Sequence, residues 1–215
     1  MTAPDAGYTA AFLAKSAIPW LRKRYPDSVI IEEFVCGTAG AARIDLAVFT
    51  DTDIHGIEIK GDGDKPDRLV AQGTLYSTVC TEVHLLPSPN FLRERTGLSK
   101  WWKALPDWWG LVELNEDTGN LNIRKHAPKS PLLSPESLGN LLWAVELRDA
   151  CKEARIKVKA SWNRQRCIDA LVESQTLPVI KRLVASRIKK RDWKTIREPW
   201  KSRAFMDDLM EQGME

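Results

Sequence analysis

The chain of 215 residues has few of the features that identify secreted, membrane or cofactor-binding proteins. Its four cysteines are dispersed without a Cys-x-x-Cys pair, which argues against an iron–sulfur cluster or structural zinc and favours reduced, buried thiols. The three histidines lack metal-ligand spacing, and the chain carries no P-loop and no dinucleotide fingerprint. No apolar run approaches the length of a membrane span and no signal-like segment opens the chain, so the sequence predicts a soluble, cytoplasmic protein without a membrane partner.

Basic side chains are concentrated in the C-terminal third. Residues 143–205 hold 17 Lys and Arg against 7 Asp and Glu, whereas residues 1–142 hold 15 against 18. The last ten residues hold four acids and no base. This asymmetry predicts binding to nucleic acid, and it leaves an acidic protein or a membrane surface as alternatives.

Apolar periodicity predicts an α/β fold in which a helix, three strands, a helix and a strand follow one another. The predicted helices are 10–25 and 66–80, and the second has a cap at Asp64 and Pro66 in its first turn. The predicted strands are 28–36, 42–49, 54–60 and 82–86, followed by a hairpin of 110–114 with 121–125.

The rest of the chain is predicted to be helical. Prolines at 128, 131 and 135 predict a linker over 126–135, and helices over 135–154 and 162–173 follow with an extended loop between them. Tryptophan pairs at 101–102 and 108–109 suggest base stacking, but their commoner use is packing at a sheet edge or against a helix.

Two carboxylates and a lysine are predicted to converge on neighbouring strands. Glu58 and Lys60 lie two residues apart and so share one face, and antiparallel pairing around the turn at 50–53 brings Asp45 towards Glu58. Adjacent carboxylates repel unless a cation lies between them, and their oxygens suit Mg²⁺ or Mn²⁺. A surface ion pair is the alternative for a lone Glu-x-Lys, but the alternating isoleucines around these residues bury the opposite face.

The predicted second helix carries a polar stripe. Asp64, Arg68, Gln72 and Tyr76 recur every four residues and therefore line one face. Such a face suits the border of a phosphate channel, where Arg68 and Gln72 donate to phosphate or to the carboxylates. The alternative is a solvated helix face with an Asp64–Arg68 pair.

This ordered set resembles the PD-(D/E)XK nuclease superfamily, in particular its RecB-like branch and the small bacterial MmcB-like DNA-repair nucleases. The residues that carry the resemblance are Asp45, Glu58-x-Lys60 and Gln72-x-x-x-Tyr76, with Arg43, Asp64 and Arg68 around them. Ile44 stands where the superfamily's label has proline, a position that varies widely. The resemblance covers about residues 8–87 and implies a restriction-endonuclease-like αβββαβ core with a mixed sheet.

The resemblance implies a Mg²⁺- or Mn²⁺-dependent deoxyribonuclease, more readily an endonuclease than an exonuclease, in DNA repair, recombination or phage DNA processing. DNA is the implied partner, in a homodimer or a larger DNA-processing complex. The implied metal ligands are Asp45, Glu58, the Ile59 carbonyl and, in preference to Glu32, Glu33. The implied catalytic residues are Asp45, Glu58, Lys60 and Gln72, and those implied to contact nucleic acid are Arg43, Arg68 and Tyr76.

The predicted domains are a nuclease domain over 1–127, a smaller helical module over 134–174 and a basic helical tail over 175–215 with an acidic terminus. The module resembles a SAP-like DNA-binding unit of helix, basic loop and helix; a plain helical hairpin packed on the nuclease core is the alternative. The module residues expected to contact phosphates are Lys157, Lys159, Arg164 and Arg166. The basic run from Lys181 to Arg197 extends this surface, or else forms an ordinary solvated helix face.

Two further classes of function stay open. The first is a DNA-binding accessory protein with a nuclease-like fold that no longer cuts, and the second is an interaction protein whose basic tail binds an acidic partner. Retention of Asp45, Glu58 and Lys60 argues against the first. Salt-sensitive binding to unrelated DNA sequences separates both DNA-directed functions from the acidic-partner function.

Overall fold

The computed structural model describes residues 7–36, 42–96 and 105–193, which contain six strands and seven helices. The strands are β1 (Val29–Cys36), β2 (Ala42–Phe49), β3 (Ile54–Lys60), β4 (Glu82–Pro87), β5 (Trp109–Leu114) and β6 (Leu121–Lys125). The helices are α1 (Ala10–Arg24), α2 (Leu69–Ser77), α3 (Pro89–Thr96), α4 (Pro135–Gly139), α5 (Ala144–Glu153), α6 (Arg164–Ser174) and α7 (Leu177–Lys189).

The strands form one mixed sheet in chain order from β1 to β6. The β1–β2 and β2–β3 pairs are antiparallel because short connections join them, whereas α2 makes the crossover that allows β4 to pair with β3 in parallel. β5 is parallel to β4, and β6 returns antiparallel to β5. The predicted α/β class, the αβββαβ order and the mixed sheet are confirmed.

Each face of the sheet is covered by a different set of helices. On one face, α1 buries Leu13, Ala17 and Leu21 against strand residues such as Ile57 and Ile59. The other face holds α2 and the C-terminal helices. Glu58 and Lys60 point to this second side, since they alternate with Ile57 and Ile59 along β3.

The C-terminal helices share a hydrophobic core with the sheet. Buried residues of α6 and α7, among them Ile168 and Leu183, belong to the same cluster as Ile44 and Phe49 of β2. The segment before α4 is also anchored, since the Ser130 and Ser134 amides donate to the carbonyls of Thr81 and Thr78. The C-terminal helices therefore pack on the sheet, and the helix–loop–helix of α5 and α6 is part of this shared core.

Several predicted boundaries are wrong. The second helix begins at Leu69 rather than at 66, because residues 61–64 form a tight turn in which Asp64 Oδ2 accepts the Gly61 amide instead of capping the helix. The helix predicted over 135–154 is two helices, and a new N-terminus forms at Trp143, whose amide donates to Glu146 Oε2. α3 was not predicted.

Other sequence expectations concern cysteine, tryptophan and membranes. The four cysteines are free and buried, as predicted. The indole N–H groups of Trp108 and Trp109 both point to the Ser77 hydroxyl, so this pair serves packing, while residues 101–102 lie outside the described ranges. Among the described residues, no helix combines the length and the apolar character that a membrane crossing requires.

Candidate active site

The candidate site forms where β2 and β3 stop pairing. Their backbone ladder runs from Phe49–Ile54 to Leu46–Ile57 and would reach Asp45–Glu58 at the next step. At that point the half-buried side chain of Asp45 replaces the backbone acceptor. Its Oδ2 accepts a hydrogen bond of 2.6 Å from the Ile59 amide. Asp45 therefore lies beside Glu58 and next to the Ile59 backbone, as the sequence predicts.

Glu58 is the most enclosed acid of the site, with 1% of its surface exposed. Its Oε1 accepts a hydrogen bond of 2.6 Å from Lys60 Nζ, which is also largely buried. Its Oε2 is buried and makes no hydrogen bond of ordinary geometry among the described residues, although the nearby Tyr76 hydroxyl acts to lower the pKa of Glu58. An unpaired, buried carboxylate oxygen is costly, so this atom marks a place where a ligand would be stabilising.

Tyr76 and Gln72 of α2 form hydrogen bonds that hold the start of β2, next to Asp45, in place. Tyr76 is fully buried and its hydroxyl donates to the Arg43 carbonyl at 2.5 Å, while Gln72 Nε2 donates to the same hydroxyl at 3.3 Å. Gln72 Oε1 is a second buried oxygen that lacks a partner within the described part of the chain. The prediction that Tyr76 contacts nucleic acid is wrong because its side chain is inaccessible; it positions the strand that carries Asp45.

Glu33 lies across from Asp45 on β1. The β1–β2 ladder pairs Glu32 with Leu46 and Phe34 with Ile44, and it is interrupted between them, where Glu33 faces Asp45. Glu33 has a φ of 55°, which is unfavourable for a residue with a side chain. Its exposed carboxylate pairs with Arg43 at 3.3 Å. The structure thus places Glu33, the favoured acid of β1, across from Asp45 on the neighbouring strand, with its carboxylate turned to Arg43.

The electrostatics of the site favour the uptake of positive charge. Burial and the neighbouring charge of Glu58 raise the pKa of Asp45 to about 7, although the Ile59 amide and Lys60 oppose this. Burial also raises the pKa of Glu58, with Lys60 as the main opposing influence. The carboxylates of Asp45 and Glu58 therefore repel each other, and the single positive charge of Lys60 does not fully offset this repulsion.

The side chains fit a hard divalent cation only in part. Asp45 and Glu58 supply carboxylate oxygens, one of them without a partner, which is the donor set that Mg²⁺ and Mn²⁺ prefer. Within the described ranges, however, no three His, Cys, Asp or Glu side chains already gather as a metal-binding group. A cation would therefore depend on the two carboxylates, backbone oxygen such as that of Ile59, and movement of Glu33.

Two arginines predicted to contact nucleic acid are exposed on the elements that carry the site residues. Arg43 is exposed and bound to Glu33, and Arg68 is exposed at the residue before α2. In the described part of the chain, Arg68 has no hydrogen bond or ion pair to a site carboxylate. Both positions remain open to solvent and so to a ligand.

The predicted C-terminal cations divide into internal and exposed ones. The guanidinium of Arg164 donates to the carbonyls of Asn140 and Leu142 and to the Asn140 side chain, so it is engaged within the fold. Lys157, Lys159 and Arg166 are exposed, and Arg166 also lies 5.3 Å from the Trp162 ring and pairs with Glu173.

Comparison with known proteins gives one family match. The family model described as bacteriophage P4 protein cII matches residues 12–211, which is nearly the whole chain. No curated protein and no solved structure matches. The match covers the sheet, the candidate site and the C-terminal helices together.

Proposed function

The chain belongs to the bacteriophage P4 protein cII family, and we propose that it is a metal-dependent nuclease that hydrolyses DNA phosphodiester bonds. The observation that carries the proposal is the position of Asp45 next to Glu58 and Lys60, with one buried Glu58 oxygen that makes no hydrogen bond of ordinary geometry among the described residues. The resemblance to PD-(D/E)XK nucleases supports it. The phage protein in the family's description favours phage DNA processing, which would take place in the cytoplasm.

Each residue has a distinct part in the proposed reaction. Asp45 and Glu58 would hold Mg²⁺ or Mn²⁺, with the Ile59 carbonyl and Glu33 as further oxygen donors. When bound, the cation offsets the charge that develops on the phosphate and makes water easier to deprotonate. Lys60, fixed by Glu58 at 2.6 Å, orients the attacking water or steadies a phosphoryl oxygen. Gln72 holds Tyr76 and hence the start of β2 in place.

The overall step is a hydrolysis in which water is the only co-reactant. The water oxygen forms a new bond to phosphorus, and the bond between phosphorus and one sugar oxygen breaks. The proton lost by water passes through solvent, and the leaving oxygen gains one. The partly buried ammonium of Lys60 lies at the edge of this site and so is well placed to act on the water.

Cleavage of circular DNA tests the proposal directly. Circular single-stranded DNA and supercoiled plasmid are incubated with Mg²⁺, Mn²⁺ or EDTA, using wild type, Asp45→Ala and Lys60→Ala. Lys65→Ala and Asp67→Ala are matched controls, because both residues are exposed in the loop that follows β3. We expect metal-dependent cutting by wild type and both controls, and losses of about 100-fold or more in the site variants.

A DNA-binding accessory protein is the second candidate. It is favoured by the direct Lys60–Glu58 ion pair and by the lack of a group of three metal-binding side chains in the described ranges. Equal, metal-independent DNA binding by all five proteins, with no cutting of circular or linear DNA, would support this function instead. The nuclease proposal also includes a homodimer or a larger DNA-processing complex. The molar mass of the protein–DNA complex in solution tests this part of the proposal.

A further inference from the structure

Most basic side chains of α7 and of the residues just after it form ion pairs with acids of the same chain. Lys181 pairs with Asp53 and Lys189 with Asp51, both in the β2–β3 turn. Arg187 pairs with Glu153, and Arg191 binds Glu146 at 2.6 Å while it stacks on Trp143. The basicity of this helix therefore serves its attachment to the rest of the fold.

The loop between α5 and α6 differs from α7 in this respect. Arg155, Lys157 and Lys159 are exposed, and no acid within the described ranges pairs with any of them. They alternate with Ile156 and Val158, which pack against the hydrophobic core. Residues 156–159 belong to neither helix nor strand, and half-buried and exposed side chains alternate along them. Three cations thus project from the same edge of the loop.

The loop is held in a fixed shape from within the fold. The Arg148 guanidinium donates to the carbonyls of Lys159 and Ala160, at 3.2 Å each, and to that of Trp162. At the other end, Arg155 has a φ of 60°, a left-handed conformation that glycine adopts more easily. This conformation ends α5, where the Ile156 amide donates to the Cys151 carbonyl at 2.8 Å and so fixes the direction in which the loop leaves the helix.

We propose that the loop formed by residues 155–161 is a preorganised binding surface for the phosphodiester backbone of a nucleic-acid strand, and that Arg148 is the positioning residue that fixes its shape. The regular spacing of three unpaired cations suits a chain of evenly spaced phosphates, and the contacts would carry no base specificity. The proposal rests on the proposed function only for the choice of DNA as the strand. It adds Arg155 and Arg148 to the predicted lysines and excludes Arg164.

DNA binding without metal tests the surface separately from catalysis. Fluorescence anisotropy of the full chain in EDTA is measured with labelled single-stranded and duplex DNA of unrelated sequences, across a range of salt. For Lys157→Ala with Lys159→Ala, we expect affinity to fall about 10-fold and the duplex salt slope to fall by about 1.8. The control is Lys23→Ala with Lys129→Ala, which removes the same charge from exposed positions on other elements.

An unchanged salt slope in the loop variant, or an equal loss in the control, would overturn the proposal. Tighter binding to vesicles with anionic lipid than to DNA, lost in the loop variant, would assign the surface to membranes and also overturn it. Absence of cleavage together with the expected binding losses would reject the nuclease activity and leave the loop surface supported. The two proposals therefore fail on different measurements.

The role of Arg148 needs a variant that keeps its charge. Arg148→Lys cannot reach three carbonyls at once, so we expect DNA affinity to fall about 5-fold at constant net charge. In the Lys157→Ala and Lys159→Ala background, the same change should have little further effect, because Arg148 acts through those lysines. A lower melting temperature with unchanged DNA affinity would show that Arg148 serves only stability and would overturn its positioning role.

Discussion

Oδ2 of Asp45 accepts a hydrogen bond of 2.6 Å from the backbone N–H of Ile59, the residue between Glu58 and Lys60. The carboxylate replaces a backbone carbonyl at the point where the two strands separate. One side chain therefore both closes the sheet locally and brings a second negative charge next to Glu58. This contact serves both the fold and the proposed chemistry. The fold is more stable when Asp45 is uncharged, whereas binding of a metal ion requires its negative charge.

We expect Asp45→Asn to abolish cleavage and yet stabilise the metal-free protein. Asparagine keeps an acceptor for the Ile59 amide and removes the repulsion with Glu58. Because the pKa of Asp45 is raised to about 7, the folded state binds this proton more tightly than the unfolded state. Wild type thus loses stability as pH rises from about 4 to 7, and the variant does not.

Urea denaturation in EDTA at pH 5 and pH 8 measures this effect. We expect the advantage of Asp45→Asn to be larger at pH 8, by about 1–2 kcal/mol after allowance for partial solvent exposure. Asp67→Asn, at an exposed position, should change neither stability nor its pH dependence. A variant less stable than wild type at pH 8 would show that the repulsion is not significant.

His84 of β4 makes the folded state less stable as pH falls, which is the opposite of the effect expected from Asp45. It is 2% exposed, and burial lowers its pKa to about 4 despite the attraction of Glu82. Because the unfolded histidine titrates near 6.5, stability from the neutral ring is present above that pH and is lost as pH falls towards 4. We expect His84→Gln to remove about 2–3 kcal/mol of this decline. Denaturation from pH 4 to 8 tests it, with exposed His126→Gln as the control.

Gly110 of β5 leaves room for the side chain of His84 on the neighbouring strand β4. A Cβ at this position would lie 2.3 Å from His84 Cδ2 and 2.7 Å from the Lys125 carbonyl oxygen. The backbone contact cannot be relieved by a rotamer change, so we expect Gly110→Ala to destabilise the fold by about 2–4 kcal/mol. Gly63→Ala has open space and should cost only about 1 kcal/mol for its positive φ. Equal thermal shifts for the two variants would contradict this explanation.

Lys181 of α7 connects the C-terminal helices to the β2–β3 turn. Burial alone would raise the pKa of Asp53, but the hydrogen bonds from Lys181 and Thr52 outweigh it and lower this pKa to about 2. We expect Lys181→Met to cost about 1–3 kcal/mol, because it leaves a partly buried carboxylate without its cation. Lys190→Met, at an exposed position, is the control. Chemical denaturation should show one transition for wild type, and a separate early loss of helix would contradict the shared core.

Much of the fold and of the acidic site was predictable because the signals were local. Alternating apolar residues defined β2 and β3, and period two placed Glu58 and Lys60 together. The register of the antiparallel pair then brought Asp45 beside Glu58. Glu33 was chosen from two neighbours by the same reasoning, although its left-handed backbone had no signal in the sequence.

The errors came from contacts between residues distant in sequence. The four-residue stripe on α2 suggested that Tyr76 faces a channel, but the adjoining strands bury it and give its hydroxyl the Arg43 carbonyl. The basic run that begins at Lys181 suggested a binding tail, yet within residues 181–193 most of its cations pair with acids more than 25 residues away, among them Asp53 and Glu146. Residues 194–215 of the predicted tail lie outside the described ranges. Charge counts show how many cations a segment holds, and only the fold shows which ones are already neutralised.

The shared core has a consequence for how DNA would be handled. The helices beside the loop pack into the same core cluster as the strand that carries Asp45. The proposed phosphate-binding loop and the proposed carboxylate site therefore rest on one shared core. A strand held by the phosphate-binding surface would meet the carboxylates at a constant offset, and the protein would measure DNA as a ruler does, with product lengths set by its own dimensions.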